Sequence, residues 1–428
     1  MTSLDQTIQG LRASETLVCL PEPTTNFRVL FNGDLPTVQG TNTQVDIAIL
    51  YGDSVLFSGS CTLAVQGQTS AYTTKKNLKI SAITNAGGNS VDLKMSDWVQ
   101  TSKIDLKAFG AFPAYGSTYY SGIVLDRTMI RDTLSYRTWA AIRKSGGWPD
   151  NLIAPLPAWI LANSSAESLP VNAKFGTDGY LCSIYVNGDF HGVFVWRGSK
   201  PAADYLIDKK NKLHYLVQAA GKNPATWLGY TASDWDYSYP KKPKETGLER
   251  LVSYIADCQS GKASLADFES YANKQSWLDY LLFIELAASQ DSMINNLFLE
   301  SWDGGNIWHV MAYDMDETFG IVWGYTPAQV QPDVLGWITN YNAAWTMLRE
   351  YFADDLAARW KYLRDNNVIS SDTLDKTIRR LTGTISTDDF TADVTAWGTN
   401  SQSTYGFLIT WIQGRIAWLD EQWGYSAS

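Results

Sequence analysis

Near the start of the chain, short runs alternate apolar and polar residues: "FRVLF" from Phe27, "QVDIAILYG" from Gln44, "LFSGSCTLAVQG" from Leu56 and "NLKISAI" from Asn77, each broken off by Gly, Asn or Asp. Patterning with a period of two predicts antiparallel sheet with one face buried. In "LDRTMIRDTLSYRTWAAIRK" the apolar positions Met129, Ile130, Leu134, Trp139 and Ile142 approximate helical spacing, and Asp126 is placed to cap the start. "YLCSIYVNGDFHGVFVW" reads as a hairpin turning at Asn187-Gly188, a pair suited to a type I′ turn. After an aromatic and Lys-Pro stretch the period changes. "GLERLVSYIADCQS" and "QSWLDYLLFIELAASQ" carry apolar stripes wide enough for buried helices, and helical patterning continues from about Pro327 into "YGFLITWIQGRIAWLDEQW". The pattern predicts an α+β chain with an arm over 1–25, a β-rich lobe over 26–222, a linker over 223–247 and a mainly helical lobe over 248–428. A cleft between the lobes is the expected ligand site.

Composition supplies a core and removes several functions. A chain of 428 residues with 45% hydrophobic content can form one large or two interlocked folded domains. The net charge is −10 and the densest basic run is "YPKKPKETG" over 239–247, so nucleic acid is not an expected partner. Cys19, Cys61, Cys182 and Cys258 lie far apart in apolar surroundings and read as buried free thiols. His191, His214 and His309 are equally scattered, which argues against a zinc site or a Ser-His-Asp triad. The N-terminal residues lack the basic-then-apolar pattern of a signal peptide, and no run reaches the roughly 18 apolar residues of a membrane span. The expected location is the cytoplasm or a virion. The 18 tryptophans suit core packing first, and carbohydrate or subunit contact second.

Candidate chemistry lies in "DSMINNLFLESWDGGNIWHVMAYDMDETFG" over 291–320. Two β-like runs, 296–302 and 306–313, flank the turn Asp303-Gly304-Gly305. A turn centred near Gly304 sets Asp314 opposite the stretch Ile294 to Asn296, so Asn296 and Asp314 meet at the open end of the hairpin. Asp291, on the turn leaving a buried helix, reaches the same spot. Protein kinases use this order: the first Asp accepts the proton of the attacking hydroxyl, while the Asn and the later Asp hold magnesium on nucleotide phosphates. Asp314 is then the metal carboxylate, and Asp316 a second ligand or a cap for the next stretch of chain. Other readings of these residues stay open: ordinary turn aspartates, a calcium loop, although "DMDETFG" lacks EF-hand spacing, or a glycosidase pair of undetermined separation. In "AYTTKKNLKISAI", alternation puts Tyr72, Thr74, Lys76, Leu78 and Ile80 on one face and Lys75, Asn77 and Lys79 on the other. Lys76 accordingly pairs with an acid, meets a ligand such as a nucleotide phosphate, or is a strand-end lysine reaching solvent.

Taken in order, these segments resemble the CotH family of atypical kinases, named for a bacterial spore-coat protein. "VQGQTSAYTTKKNLKI" resembles the family's R-G-x-S followed by paired lysines, "LDRTMIRDTLSYR" its D-x-x-x-x-R helix, and "IYVNGDFHGVFVW" its N-G-x-x-x-G hairpin. The most specific segment, "DSMINNLFLESWDGGNIWHVMAYDMDETFG", resembles D-x-x-x-N-N-x-F-L-Y ending in W-D-x-D-x-x-F-G. The resemblance implies an atypical protein-kinase-like fold that binds ATP and Mg2+ and transfers phosphate to Ser or Thr of a partner protein. It implies Asp291 as the catalytic-loop acid, Asn296 and Asp314 as metal ligands and Lys76 as the nucleotide lysine. The sequence departs from the family where Gln66 replaces Arg, where Tyr313 replaces the Trp before the metal Asp, and where "VWRGSK" lacks an acidic residue. A neutral Gln cannot supply the charge an Arg gives to phosphate. These departures bear on turnover more than on fold, so a pseudokinase is the neighbouring expectation. A second functional class is a phage tail or other virion protein, structural or adhesive, that keeps this fold with little or no catalysis. The expected partner is a protein substrate or a neighbouring structural protein, with the chain one subunit of a larger assembly.

Overall fold

A computed structural model describes residues 16–67, 69–111, 126–147, 173–221, 224–241, 247–322 and 324–426. Most of the expected N-terminal arm and part of the 223–247 linker lie outside the described residues. Within them the content is mixed α and β, as the pattern predicts.

The alternating runs form strands, and their buried positions face one interior. After β1 (Leu17–Leu20), the strands β2 (Phe27–Asn32), β3 (Asn42–Tyr51), β4 (Ser54–Val65) and β5 (Leu78–Asn85) follow the predicted order. They are joined by β6 (Asp92–Met95), β7 (Ile104–Lys107), β8 (Gly179–Val186) and β9 (Asp189–Gly198). Seven of them close into a barrel in the order β2-β3-β4-β5-β7-β9-β8, every pairing antiparallel except β2 with β8. Phe27, Val29 and Phe31 of β2, Val45, Ile47 and Ile49 of β3, and Leu63, Ile80 and Trp196 fill its core. Closure leaves no unpaired edge on the ring. The β8–β9 turn is as expected: Asn187 and Gly188 both have positive φ, 53° and 95°.

Eight α-helices are found among the described residues. They are α1 (Arg131–Ser145), α2 (Leu248–Gln259), α3 (Lys274–Ala287), α4 (Ala343–Tyr351), α5 (Ala353–Asp365), α6 (Ser371–Thr382), α7 (Thr387–Trp397) and α8 (Tyr405–Gln422). α1 starts later than its periodicity suggests, because Met129 takes a left-handed φ of 63°. Asp126 nevertheless acts at that end, accepting from the amides of Thr128 (3.0 Å) and Arg131 (2.8 Å) and pairing with the Arg131 guanidinium at 2.6 Å. The resemblance's D-x-x-x-x-R motif is therefore a fully buried ion pair.

The chain divides into two compact units that do not follow the linear division at 222 and 248. One comprises 1–133, 177–201 and 377–404, the other 134–176, 202–376 and 405–428. In the barrel unit α7 lies against β9, and the Trp397 indole donates to the His191 carbonyl at 2.8 Å. A late segment with an apolar face joins whichever core it covers, whatever its place in the chain. The second unit holds a four-stranded antiparallel sheet ordered β11-β10-β12-β13, from β10 (Tyr215–Ala219), β11 (Trp235–Tyr239), β12 (Leu297–Ser301) and β13 (His309–Ala312). Here α3 is buried from Ser276 to Ala287 on every side.

Of the described tryptophans, Trp337, Trp397, Trp418 and Trp423 are half-buried and the rest are buried, so the aromatic surplus serves the core. The four cysteines are free, but Cys19 is exposed and Cys258 only half-buried. On β1 the pattern runs outward and inward in turn, which buries Val18 and Leu20 and sends Cys19 out. Among the described residues no helix is long and apolar enough to cross a membrane.

Candidate active site

The acidic segment is shaped by the end of α3. Ala288 caps that helix in the left-handed region (φ 54°), and a single 3-10 turn, Asp291–Met293, comes next. The Asp291 carbonyl then collects the amides of Ile294, Asn295 and Asn296 at 3.2, 2.9 and 3.2 Å. This tight winding brings both asparagine side chains back to one carboxylate oxygen: Asn295 Nδ2 donates to Asp291 Oδ2 at 3.1 Å and Asn296 Nδ2 at 2.9 Å. Asn296 Nδ2 also donates to the Asp314 carbonyl at 2.9 Å. The hairpin pairs Leu297 with Ala312 and Glu300 with His309, which carries Asp314 to the level of Asn295, within the stretch expected from the turn. Asp314 itself has φ 51°, a conformation that Asp tolerates better than most residues.

The turn is anchored from behind. The indoles of Trp227 and Trp345 both donate to the Met293 carbonyl, at 2.6 and 2.9 Å, and the Tyr280 hydroxyl donates to the Ser292 carbonyl at 2.8 Å. Past Asp314, the Phe319 amide donates to the Ala287 carbonyl at 2.7 Å, tying the loop's end to the end of α3. Gly320 closes it with φ 91°, where a Cβ would stand 2.8 Å from Phe407 Cε1 and Trp411 Cδ1. Asp316 and Glu317 are half-buried in the same loop. Burial raises the Asp291 carboxyl above its ordinary range, the Asn295 hydrogen bond opposes this, and the negative charge of Asp314 adds to it. Two carboxylates that feel each other favour a cation beside them.

Among the described residues, no three His, Cys, Asp or Glu side chains converge on one point. The loop offers a smaller donor set, the Asp314 carboxylate and Asn296 Oδ1. The Asn296 amide nitrogen is spent on Asp291 and the Asp314 carbonyl. Two hard oxygens without imidazole or thiolate fit magnesium, which fills most of its shell with water and phosphate oxygens.

On the barrel unit the lysines exchange places. Residues 73–77 are bends and irregular chain, and β5 begins only at Leu78, so strand alternation does not extend back to Lys76. Lys76 is half-buried and donates to the Ala71 carbonyl at 2.8 Å. Lys75 is fully buried. Its ammonium donates to Asp393 Oδ1 at 2.6 Å and to the Val193 carbonyl, and lies 4.4 Å from the Phe194 ring centre. Burial lowers its pKa to about 7, with Asp393 opposing the drop and Arg127 adding to it. Gly192, the last residue of the N-G-x-x-x-G hairpin, has φ 152°, and a Cβ there would come within 2.8 Å of Asp393 Oδ1 and Lys75 Cε. Sequence reasoning passed over Asp393, which lies 318 residues beyond Lys75. One signal was present: Asp393 shares a helix face with Phe390 and Trp397, an acid set in an apolar stripe.

No match to this chain is found among curated proteins. The family model described as CotH kinase protein matches residues 63–419, a span that takes in Lys75, Asp291 and Asp314 alike. A match of that extent, over residues whose order and local geometry agree with the motifs, places the chain in the CotH kinase family.

Proposed function

We propose that the chain is a kinase that transfers the γ-phosphate of ATP, with magnesium, to Ser or Thr hydroxyls of a partner protein. The observation that carries this reading is the Asn296 amide, which joins the Asp291 carboxylate to the Asp314 backbone and so fixes three residues of one chemistry together. Asp291, steadied by two amide donors, is the group that receives the proton of the attacking hydroxyl. Asn296 and Asp314 are the residues that would hold the ion, with Asp316 as a further ligand. Magnesium, when bound, neutralises charge on the phosphates. Lys75 takes the nucleotide role in place of Lys76, because it is the lysine paired with a buried carboxylate.

Transfer of labelled γ-phosphate to the protein itself and to candidate partner proteins tests this. Asp314→Ala should lose transfer together with Mg-ATP affinity, whereas Asp291→Ala should lose transfer, by about a hundredfold or more, with affinity nearly kept. Asp316→Ala should show the smallest loss. Equal transfer by wild type and both principal variants would dismiss the site, and ATP binding without transfer to any partner would return the chain to the virion reading.

A further inference from the structure

In the unit that holds the four-stranded sheet, lysines gather at one end. The chain before β10 is wound into a braced loop: the Asp208 amide donates to His214 Nδ1 at 2.9 Å, the Lys210 amide to Asp208 Oδ1 at 2.8 Å and the Leu213 amide to Asn211 Oδ1 at 3.0 Å. These bonds fix the backbone and leave Lys209, Lys210 and Lys212 exposed. The Lys209 ammonium lies 5.5 Å from the Tyr239 ring centre, which sets the loop beside the end of β11, where Lys241 is exposed as well. None of the four lysines forms an ion pair among the described residues. Leu213, in their midst, is 48% exposed. Two carboxylates are near and both are engaged. Asp208 accepts within the loop, and Asp303, next to the Gly304 amide that donates to the Leu213 carbonyl, accepts from the Ser301 hydroxyl and the Asn306 and Ile307 amides. Past Gly305, which packs on Gly247, the charges of Glu249 and Arg250 cancel. Burial holds His214 to a pKa of about 4, so it adds no charge at neutral pH. Four ammonium groups thus face two carboxylates, on a chain whose net charge is −10.

A local cationic surface on an acidic chain selects its partner by sign. β10 runs beside β12 with Tyr215 opposite Ser301, so the lysines stand at the turn end of the hairpin whose open end carries Asn296 and Asp314. At about 3.3 Å per residue, the strand from Asn296 to Ser301 spans about 17 Å. Resting on the kinase reading above, we infer that the lysine patch docks an acidic, Asp- and Glu-rich segment of the partner protein whose Ser or Thr is phosphorylated. To reach both ends of the hairpin, that segment must lie at least about five extended residues from the phosphorylated hydroxyl. One exposed leucine gives a lipid bilayer little to bury, whereas an extended acidic chain meets the lysines, covers Leu213 and continues to the open end.

The test uses the full-length protein and fluorescent peptides followed by anisotropy. The first peptide has a central Ser with a block of Asp and Glu on each side, about eight residues away; the second has the same blocks next to the Ser; the third has Lys in place of the acids. The first should bind about tenfold or more tighter than the third and weaken as salt rises. Combining Lys209→Glu, Lys210→Glu and Lys212→Glu should weaken its binding about tenfold or more, and the milder combination Lys209→Gln, Lys210→Gln and Lys212→Gln should act in the same direction. With Mg-ATP present, the charge-reversed protein should show a raised KM for the first peptide and an unchanged kcat. Wild type should transfer less phosphate to the second peptide than to the first, because its blocks cannot span the hairpin. Equal affinity of wild type and both variants, or tighter binding of the Lys peptide, overturns the inference, and equal transfer to the first two peptides overturns the spacing. Binding of wild type to phosphatidylserine vesicles, with no binding of the acidic peptides, assigns the patch to a membrane and overturns it too. Lysine-dependent binding of the first peptide with no transfer to any peptide would uphold the docking of an acidic segment and overturn the kinase reading alone.

Discussion

Replacing Glu300 by Gln should make the protein more stable at neutral pH. Glu300 lies on β12, directly between Leu216 on β10 and His309 on β13, and is fully buried. Neither carboxylate oxygen has a hydrogen-bond partner among the described residues. Burial alone raises its pKa well above the ordinary value of 4.5, so the folded protein carries it protonated where the unfolded chain ionises it. With the folded pKa raised, stability from this group is fully present below 4.5 and declines as pH climbs toward the folded value. Each pH unit between the unfolded and the folded pKa costs the fold about 1.4 kcal/mol once the pH has risen through it. Glutamine has nearly the same shape and no such cost. Its amide still lacks partners, which offsets part of the gain, so the advantage of the variant should be almost nothing at pH 4.5 and should grow as the pH rises to 7.5. Urea unfolding followed by tryptophan fluorescence at pH 4.5, 6 and 7.5 reads this as a widening gap between the two midpoints. Parallel stability curves, or a variant less stable than wild type at pH 7.5, would refute the reasoning by showing that Glu300 is ionised and stabilised in the fold.

Two more outcomes rest on buried groups in the same unit. His309 is held to a pKa of about 3 by burial and, secondarily, by Arg143; its stabilising effect is present above the unfolded value of 6.5 and is lost as pH falls toward 3, so His309→Gln should flatten the acid limb of the unfolding curve between pH 6 and 4. Gly320→Ala should lower stability by about 1–3 kcal/mol, measured by thermal unfolding, since it places a methyl 2.8 Å from two packed aromatic rings at a φ of 91°.

The features legible in the sequence were mostly local. Period-two runs located β2 to β5, the Asn187-Gly188 pair located a hairpin, and the apolar density of "QSWLDYLLFIELAASQ" located the buried α3. Asp291, Asn296 and Asp314 were legible together because one turn and one hairpin bring them together, and neither depends on distant residues. The burial of Lys75 rather than Lys76 was missed because strand parity was carried through a segment that bends. Asp393 was missed because its partner is fixed by the return of a late segment to the barrel, and no pattern within "TDDFTADVTAW" names that partner. The same limit hid the barrel's closure, since the parallel pairing of Arg28 with Ser183 joins residues more than 150 positions apart.

That returning segment has a consequence for how the chain is made. Lys75 is synthesised long before its counter-charge, and the ring cannot gain its charged core until residue 393 has been translated and has found the barrel. Closing so long a loop is a slow, non-local step, and entropy opposes it at every length. During synthesis the early strands can pair with one another while Lys75 remains free to stay hydrated. The dehydrated lysine thus belongs only to chains that have acquired α7, and a ribosome that stops short of it releases a barrel without the charge cluster.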